Sequence, residues 1–130
     1  MKAITVNQPF ASLIAEGYKR YEFRSWKTNY RGDILIHAGK TVDEEGMEKF
    51  AYLGLDCPTG CIIAKATITD CVEVDEALKA MLRKLDFTVY SGTTEAENWH
   101  GYGFRLDNII KIEPIEVSGK LGLWEYDIDI

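Results

Sequence analysis

The chain has 130 residues, 46% of them hydrophobic and 28% charged, with a net charge of −6. That size and composition fit one globular domain spanning residues 1–130 with a real hydrophobic core. No apolar run approaches the roughly 20 residues needed to span a bilayer, and residues 1–9 lack the apolar stretch of a secretory signal, so the expectation is a cytoplasmic protein without a membrane partner.

Residues 3–6 read as a short strand. Asn7-Gln8-Pro9 reads as a helix start, with a polar cap and a proline in the first turn, where its missing N–H costs nothing. Phe10, Leu13 and Ile14 then form an i, i+3, i+4 apolar face, and Gly17 supplies the stop. Residues 21–26 alternate at strand spacing, with Tyr21, Phe23 and Ser25 on one face and Glu22, Arg24 and Trp26 on the other. A turn at Tyr30-Arg31-Gly32-Asp33 leads to a core strand over residues 34–38.

A helix is expected over residues 43–53, capped by Thr41 or Asp43, with Met47, Phe50 and Ala51 buried. Residues 61–74 form a β-branched run too long for one flat strand, which should bend or twist around a barrel. A further helix over 75–85 would turn Ala77, Ala80, Met81 and Leu85 inward. Residues 86–101 read as a loop or lid, and strands at 102–110, 112–115 and 123–128 complete the chain. The order β-α-β-β-α-β-α-β-β-β points to an α+β fold, a mixed β-barrel decorated with about three helices.

The charge is unevenly spread. Residues 1–40 hold seven Lys/Arg against three acids, and residues 41–130 hold eight against eighteen. An acidic body with one basic stripe suits a local anion contact better than wrapping a long duplex. The densest constellation is residues 17–26, where Glu22, Arg24 and Trp26 share a strand face and Lys19 stands at its mouth. Arginine offers a planar fork to a phosphate or base edge, glutamate accepts from an exocyclic amine, and tryptophan supplies a stacking plate. The plainer reading is an exposed strand with a Glu–Arg surface pair.

Trp99-His100-Gly101-Tyr102 is a second aromatic cluster, which could close over a ligand or simply pack a barrel end. His37 reads as a satisfied, partly buried histidine, and Trp124 as core. Cys57, Cys61 and Cys71 are an odd count without zinc-site spacing, so they read as reduced thiols, with no metal and no cofactor expected. No P-loop, G-x-G-x-x-G, H-E-x-x-H or G-x-S-x-G pattern occurs.

Gln8-Pro9-Phe10-Ala11-Ser12-Leu13-Ile14, Gly17-x-Lys19-x-x-Glu22-x-Arg24-Ser25-Trp26, Tyr30-Arg31-Gly32 and Ile36-His37-Ala38 together resemble the ASCH domain family. Pro58-x-Gly60-Cys61-Ile62-Ile63, Asp70-Cys71 and Gly119-Lys120-Leu121-Gly122-Leu123-Trp124 fit the same branch, which includes the C-terminal module of the activating signal cointegrator coactivator and stand-alone bacterial and phage proteins. Phe10 stands where that branch usually shows tryptophan.

The resemblance implies a PUA-like barrel whose cleft, lined by the G-x-K-x-x-E-x-R segment, binds nucleic acid, RNA in particular, or a modified nucleotide. Its candidate ligand-binding residues are Gln8, Lys19, Glu22, Arg24, Ser25, Trp26, Arg31, Trp99 and Tyr102, and a monomer is the default. A distant branch removes acetyl from acetylcytidine with a lysine, a threonine three residues later and a distal glutamate. Here the threonine position is Glu22, and the distal carboxylate would come from Glu95 or Glu97. The competing reading is a small hydrolase of a nucleoside or RNA, with Lys19 and Glu22 as catalytic acid–base pair. A third reading is a protein-interaction module whose acidic body binds a basic partner.

Overall fold

The computed structural model describes residues 1–128, except for the side chains of residues 94 and 95. Six strands form one mixed sheet in the order β2-β5-β4-β3-β1-β6. They are β1 (Lys2–Gln8), β2 (Tyr21–Arg24), β3 (Gly32–Val42), β4 (Cys61–Glu73), β5 (Tyr102–Glu116) and β6 (Leu123–Glu125). The helices are α1 (Phe10–Ala15), α2 (Glu44–Lys49), α3 (Glu76–Leu85) and the short α4 (Thr94–Glu97), with a 3-10 turn at Ala51–Leu53. β1 runs parallel to β3, and the other pairings are antiparallel.

Side-chain alternation decides the two faces of the sheet. Ile4 and Val6 of β1 and Ile34, Ile36 and Ala38 of β3 enter the main core, together with Phe104 and Leu106 of β5. Their neighbours Ala3 and Leu35 join Ile62 and Trp124 in a smaller cluster on the other face. α1 fits wholly into the main core: all six of its residues are buried. Gly17 ends it at φ +84°, a conformation that glycine adopts without Cβ strain, and the chain turns into β2.

The sheet curls strongly but is not closed into a barrel. β4 and β5 change register between Ile62 and Ala64, Lys65 and Thr67, and Ile68 and Asp70, which bends both strands. Asn108, at φ +54°, sits in the second of these bulges. β5 therefore runs unbroken where two strands, 102–110 and 112–115, were expected. In a flat sheet β2 would lie about 19 Å from β1, four strand spacings away, yet Arg24 of β2 hydrogen-bonds to the Thr5 carbonyl of β1. β6 covers the outer edge of β1 only along Lys2–Ile4. Beyond Ile4 that edge faces β2 across a gap bridged by a side chain instead of a strand ladder.

Several helical expectations need correction. Pro9 precedes α1, joined by a cis peptide bond to Gln8 at the end of β1, and offers no side-chain cap. Gln8 caps the helix from there, its Oε1 accepting from the Ser12 N–H at 3.0 Å. The helix expected over 43–53 starts on the Asp43 cap but breaks at Phe50, leaving Phe50 buried, Met47 half-buried and Ala51 exposed. In α3, Leu82 is 1% exposed and Leu78 half-buried, whereas Ala77, Ala80, Met81 and Leu85 face outward. Apolar residues occupy more than one side of that helix, so periodicity alone does not select the stripe that packs.

Candidate functional site

β2 turns Glu22 inward, opposite the fully buried Phe104 of β5. The carboxylate is 6% exposed and fully engaged: Oε1 accepts from the Phe23 N–H at 3.1 Å and from Lys19 Nζ at 3.3 Å, and Oε2 accepts from Arg24 Nη2 at 2.9 Å. Burial pushes the Glu22 carboxyl up, but the Lys19 ammonium, the Arg24 guanidinium and the Phe23 N–H together hold it below the ordinary carboxylate range. Glu22 is therefore ionised at neutral pH.

Lys19 is 0% exposed. Its ammonium donates to the Tyr21 carbonyl at 2.6 Å and lies 4.9 Å from the Phe23 ring centroid, 5.7 Å from Trp99 and 5.8 Å from Phe10. Three aromatic faces thus replace part of the hydration it loses. The lysine lies beneath the strand, where the sequence reading had placed it at the mouth. The difference comes from Trp99, which stacks on Phe23 at 4.0 Å and 21° and meets Tyr90 edge-on at 5.5 Å. Trp99 of the 86–101 segment packs against Phe23, Tyr90 and the Lys19 ammonium. Trp99 Nε1 is buried without a hydrogen-bond partner among the described residues.

Arg24 links this buried pair to the surface. One guanidinium nitrogen binds both Glu22 and the Thr5 carbonyl, and the side chain stays about one quarter exposed. Around it opens a cleft of about 230 Å³ between the free edge of β1 and β2, lined by Thr5, Val6, Asn7, Phe10, Glu22, Phe23, Arg24 and Asp43. Thr5, Asn7 and Asp43 carry no binding signal in the sequence, because none belongs to the basic segment. Gly101 is a second omission. A Cβ there would stand 2.4 Å from the Arg24 carbonyl oxygen, so only glycine lets the chain pass behind the end of β2.

The remaining candidates lie elsewhere. β2 ends at Arg24, so Ser25 and Trp26 occupy a bend; Ser25 is exposed, and Trp26 packs edge-on against Phe104 at 5.2 Å, outside the cleft lining. Gln8 is fully buried, its Nε2 donating to Ser12 Oγ and to the Pro58 carbonyl, both at 2.8 Å. Arg31 bonds to the Thr28 and Tyr30 carbonyls and lies 3.8 Å from Asp70. Tyr102 pairs with Arg24 across the β2–β5 ladder and is half-buried. Glu97 is held by Arg83 at 3.1 Å and by the Gly92 N–H at 2.9 Å, while the Glu95 side chain lies outside the described residues. Among the described residues no group of three His, Cys, Asp or Glu side chains could hold a metal ion.

Activating signal cointegrator 1 of Homo sapiens is 36% identical over 81 residues, covering 53% of this chain and 14% of that protein, and its Mus musculus counterpart is 33% identical over the same length. The chain thus spans about one seventh of these relatives. The crystal structure of ASCH from Zymomonas mobilis superposes with a TM-score of 0.60 at 19% identity, covering 88% of this chain and 72% of that one. A serine-to-alanine mutant of the same Zymomonas mobilis protein gives 0.59 at 18% identity, covering 89% and 73%. At that identity the likeness speaks for the fold alone. The ASCH domain itself matches residues 4–116, from the strand that forms one side of the cleft to the end of β5, and this chain belongs to the ASCH domain family.

Proposed function

We propose that the β1–β2 cleft binds single-stranded nucleic acid, RNA in particular, or a nucleotide, by admitting one base. The observation that carries this reading is the buried ionic ladder Lys19–Glu22–Arg24 ending at the cleft. Removing two charges from water costs several kcal/mol per ion, and a well-packed apolar replacement is often as stable or more so. Such a pair, placed directly behind a cleft, supports a role in recognition rather than in stability. Its effect is to hold the Arg24 guanidinium in one orientation with part of its fork still exposed.

The cleft's size supports a single base: about 230 Å³ is below the roughly 300–1,000 Å³ that enclose a whole drug-sized ligand. Phe23 offers apolar ring surface, and Asn7 and the exposed part of the Arg24 fork offer hydrogen-bonding groups, the combination used to read splayed RNA bases. Membership of the ASCH family supports the same ligand class. Hydrolysis by a Lys19/Glu22 pair receives less support. Lys19 has no exposed surface, and Glu22, held below the ordinary carboxylate range, is a poor proton acceptor and has no proton to donate at neutral pH.

Titration of labelled RNA and DNA hexamers at low salt tests the proposal. Arg24→Ala is expected to weaken binding by about tenfold or more, since charge-assisted hydrogen bonds contribute about 1.5–3 kcal/mol. Lys27→Ala, exposed and outside the cleft, should change it by less than about threefold. Absence of binding by the wild-type protein, or equal affinity of Arg24→Ala, overturns the reading.

A further inference from the structure

Thr5 belongs to two cavities. Its carbonyl meets Arg24 at the base-sized cleft, while its side chain forms part of the floor of a second cavity of about 380 Å³. That second cavity lies between the end of β3, the start of β4 and the loop leading into β6, with Lys40 and Lys120 at its rim. Among the described residues no acidic side chain lines it. Both lysines are exposed, and neither has an ion pair or hydrogen bond among the described residues. In a chain of net charge −6, two unpaired ammonium groups at one acid-free cavity form an uncompensated positive site.

The floor is tied together by hydrogen bonds. His37 Nε2 lies 2.6 Å from the Val117 carbonyl, which can only accept, so Nε2 carries the hydrogen. Trp124 Nε1 donates to Thr5 Oγ1 at 3.1 Å, and the same hydroxyl is hydrogen-bonded to His37 Nδ1 at 3.2 Å. Both nitrogens of the ring are thereby used within the fold. Gly119 lies directly on this floor: a Cβ there would stand 2.5 Å from Thr5 Oγ1 and 2.8 Å from His37 Cε1. Gly60, at φ +70°, turns the opposite wall. The shape is thus fixed by closed hydrogen bonds and by glycines, and the two lysine charges stand at the rim.

Lysine is a compact point charge suited to phosphate, and a single strand threaded past Thr5 would present a phosphate on one side of the base it inserts on the other. We propose that Lys40 and Lys120 hold a backbone phosphate of the strand whose base enters the β1–β2 cleft, so that the domain selects a phosphorylated strand over a free nucleoside. This inference rests on the cleft reading above.

The test uses the full chain with labelled hexaribonucleotides of cytidine and of uridine, titrated over a salt series, alongside the free nucleosides. The double variant Lys40→Ala/Lys120→Ala is expected to bind the hexamers about tenfold more weakly at low salt. Its slope of log K against log salt should be shallower by about 0.7 for the one phosphate released. Lys84→Ala, an exposed lysine on α3, serves as the charge control and should leave the slope unchanged. Nucleoside affinity should be the same in wild type and double variant. A double variant with wild-type affinity and slope overturns the phosphate site while leaving the cleft reading intact if Arg24→Ala still loses binding. Loss in the double variant with none in Arg24→Ala overturns the base cleft, and with it the shared strand.

Discussion

The segment from Phe10 to Arg24 buries charge, whereas α3 exposes apolar surface. Lys19 and Glu22 are 0% and 6% exposed, while Leu85, at the end of α3, and Phe87, just beyond it, are 72% and 71% exposed. Each region inverts the usual rule for its residue types, and the inversions differ in cost. Buried ions require every hydrogen bond in place, so their geometry is narrowly defined. An exposed leucine loses only the burial it would have gained. On the binding reading proposed above, the cleft region gives up stability for specificity, whereas the outer face of α3 has neither to give as long as nothing covers it.

Removing one member of the buried pair should break the comparison most severely. Lys19→Met leaves Glu22 without its fully buried cation and is expected to destabilise the fold by about 3–5 kcal/mol. Urea unfolding measures this directly. The double variant Lys19→Met/Glu22→Gln should lose clearly less than the sum of the two single changes, because the second removes the charge that the first strands. Additive losses would mean that the two side chains act independently, against the 3.3 Å contact.

The same pair predicts an acid dependence. An unfolded glutamate titrates near pH 4.3, and folded Glu22 titrates lower because Lys19, Arg24 and the Phe23 N–H outweigh its burial. A carboxylate with a depressed folded value contributes stability above the unfolded value and loses it as the pH falls through the folded one. The wild-type unfolding free energy should thus fall below about pH 4.3, and Glu22→Gln should flatten that limb. Parallel curves for the two proteins between pH 5 and 3 would remove Glu22 as its source.

What the sequence made legible follows from how local each determinant is. The alternation of Ile34 and Ile36 in β3, the i, i+3, i+4 face of α1 and the left-handed stop at Gly17 are set within a few residues. His37 was readable as a satisfied histidine because it closes an apolar run. The position of Lys19 was not readable, because its aromatic cage comes partly from Trp99, far along the chain and brought back by the β5–β2 pairing. The open edge of β1 was equally hidden. Sheet closure depends on where β6 stops, and the bulges that curl β4 and β5 follow no local pattern. Thr5 and Asn7 became site residues only through that edge.

The smallest expected effect tests the other half of the comparison. Leu85→Lys replaces a leucine that is 72% exposed at the C-terminus of α3, where Arg83 and Lys84 already favour the helix dipole. Little apolar area is lost, and a cation gains slightly from its position, so the unfolding free energy should change by less than about 0.5 kcal/mol. The inward side of the helix depends on Leu78 and Leu82, which the substitution does not touch. A loss well above 1 kcal/mol would mean that this face is covered in solution. Sedimentation of the wild type would then show self-association that Leu85→Lys abolishes, and the contrast between buried charge and exposed apolar surface would hold only for the isolated chain.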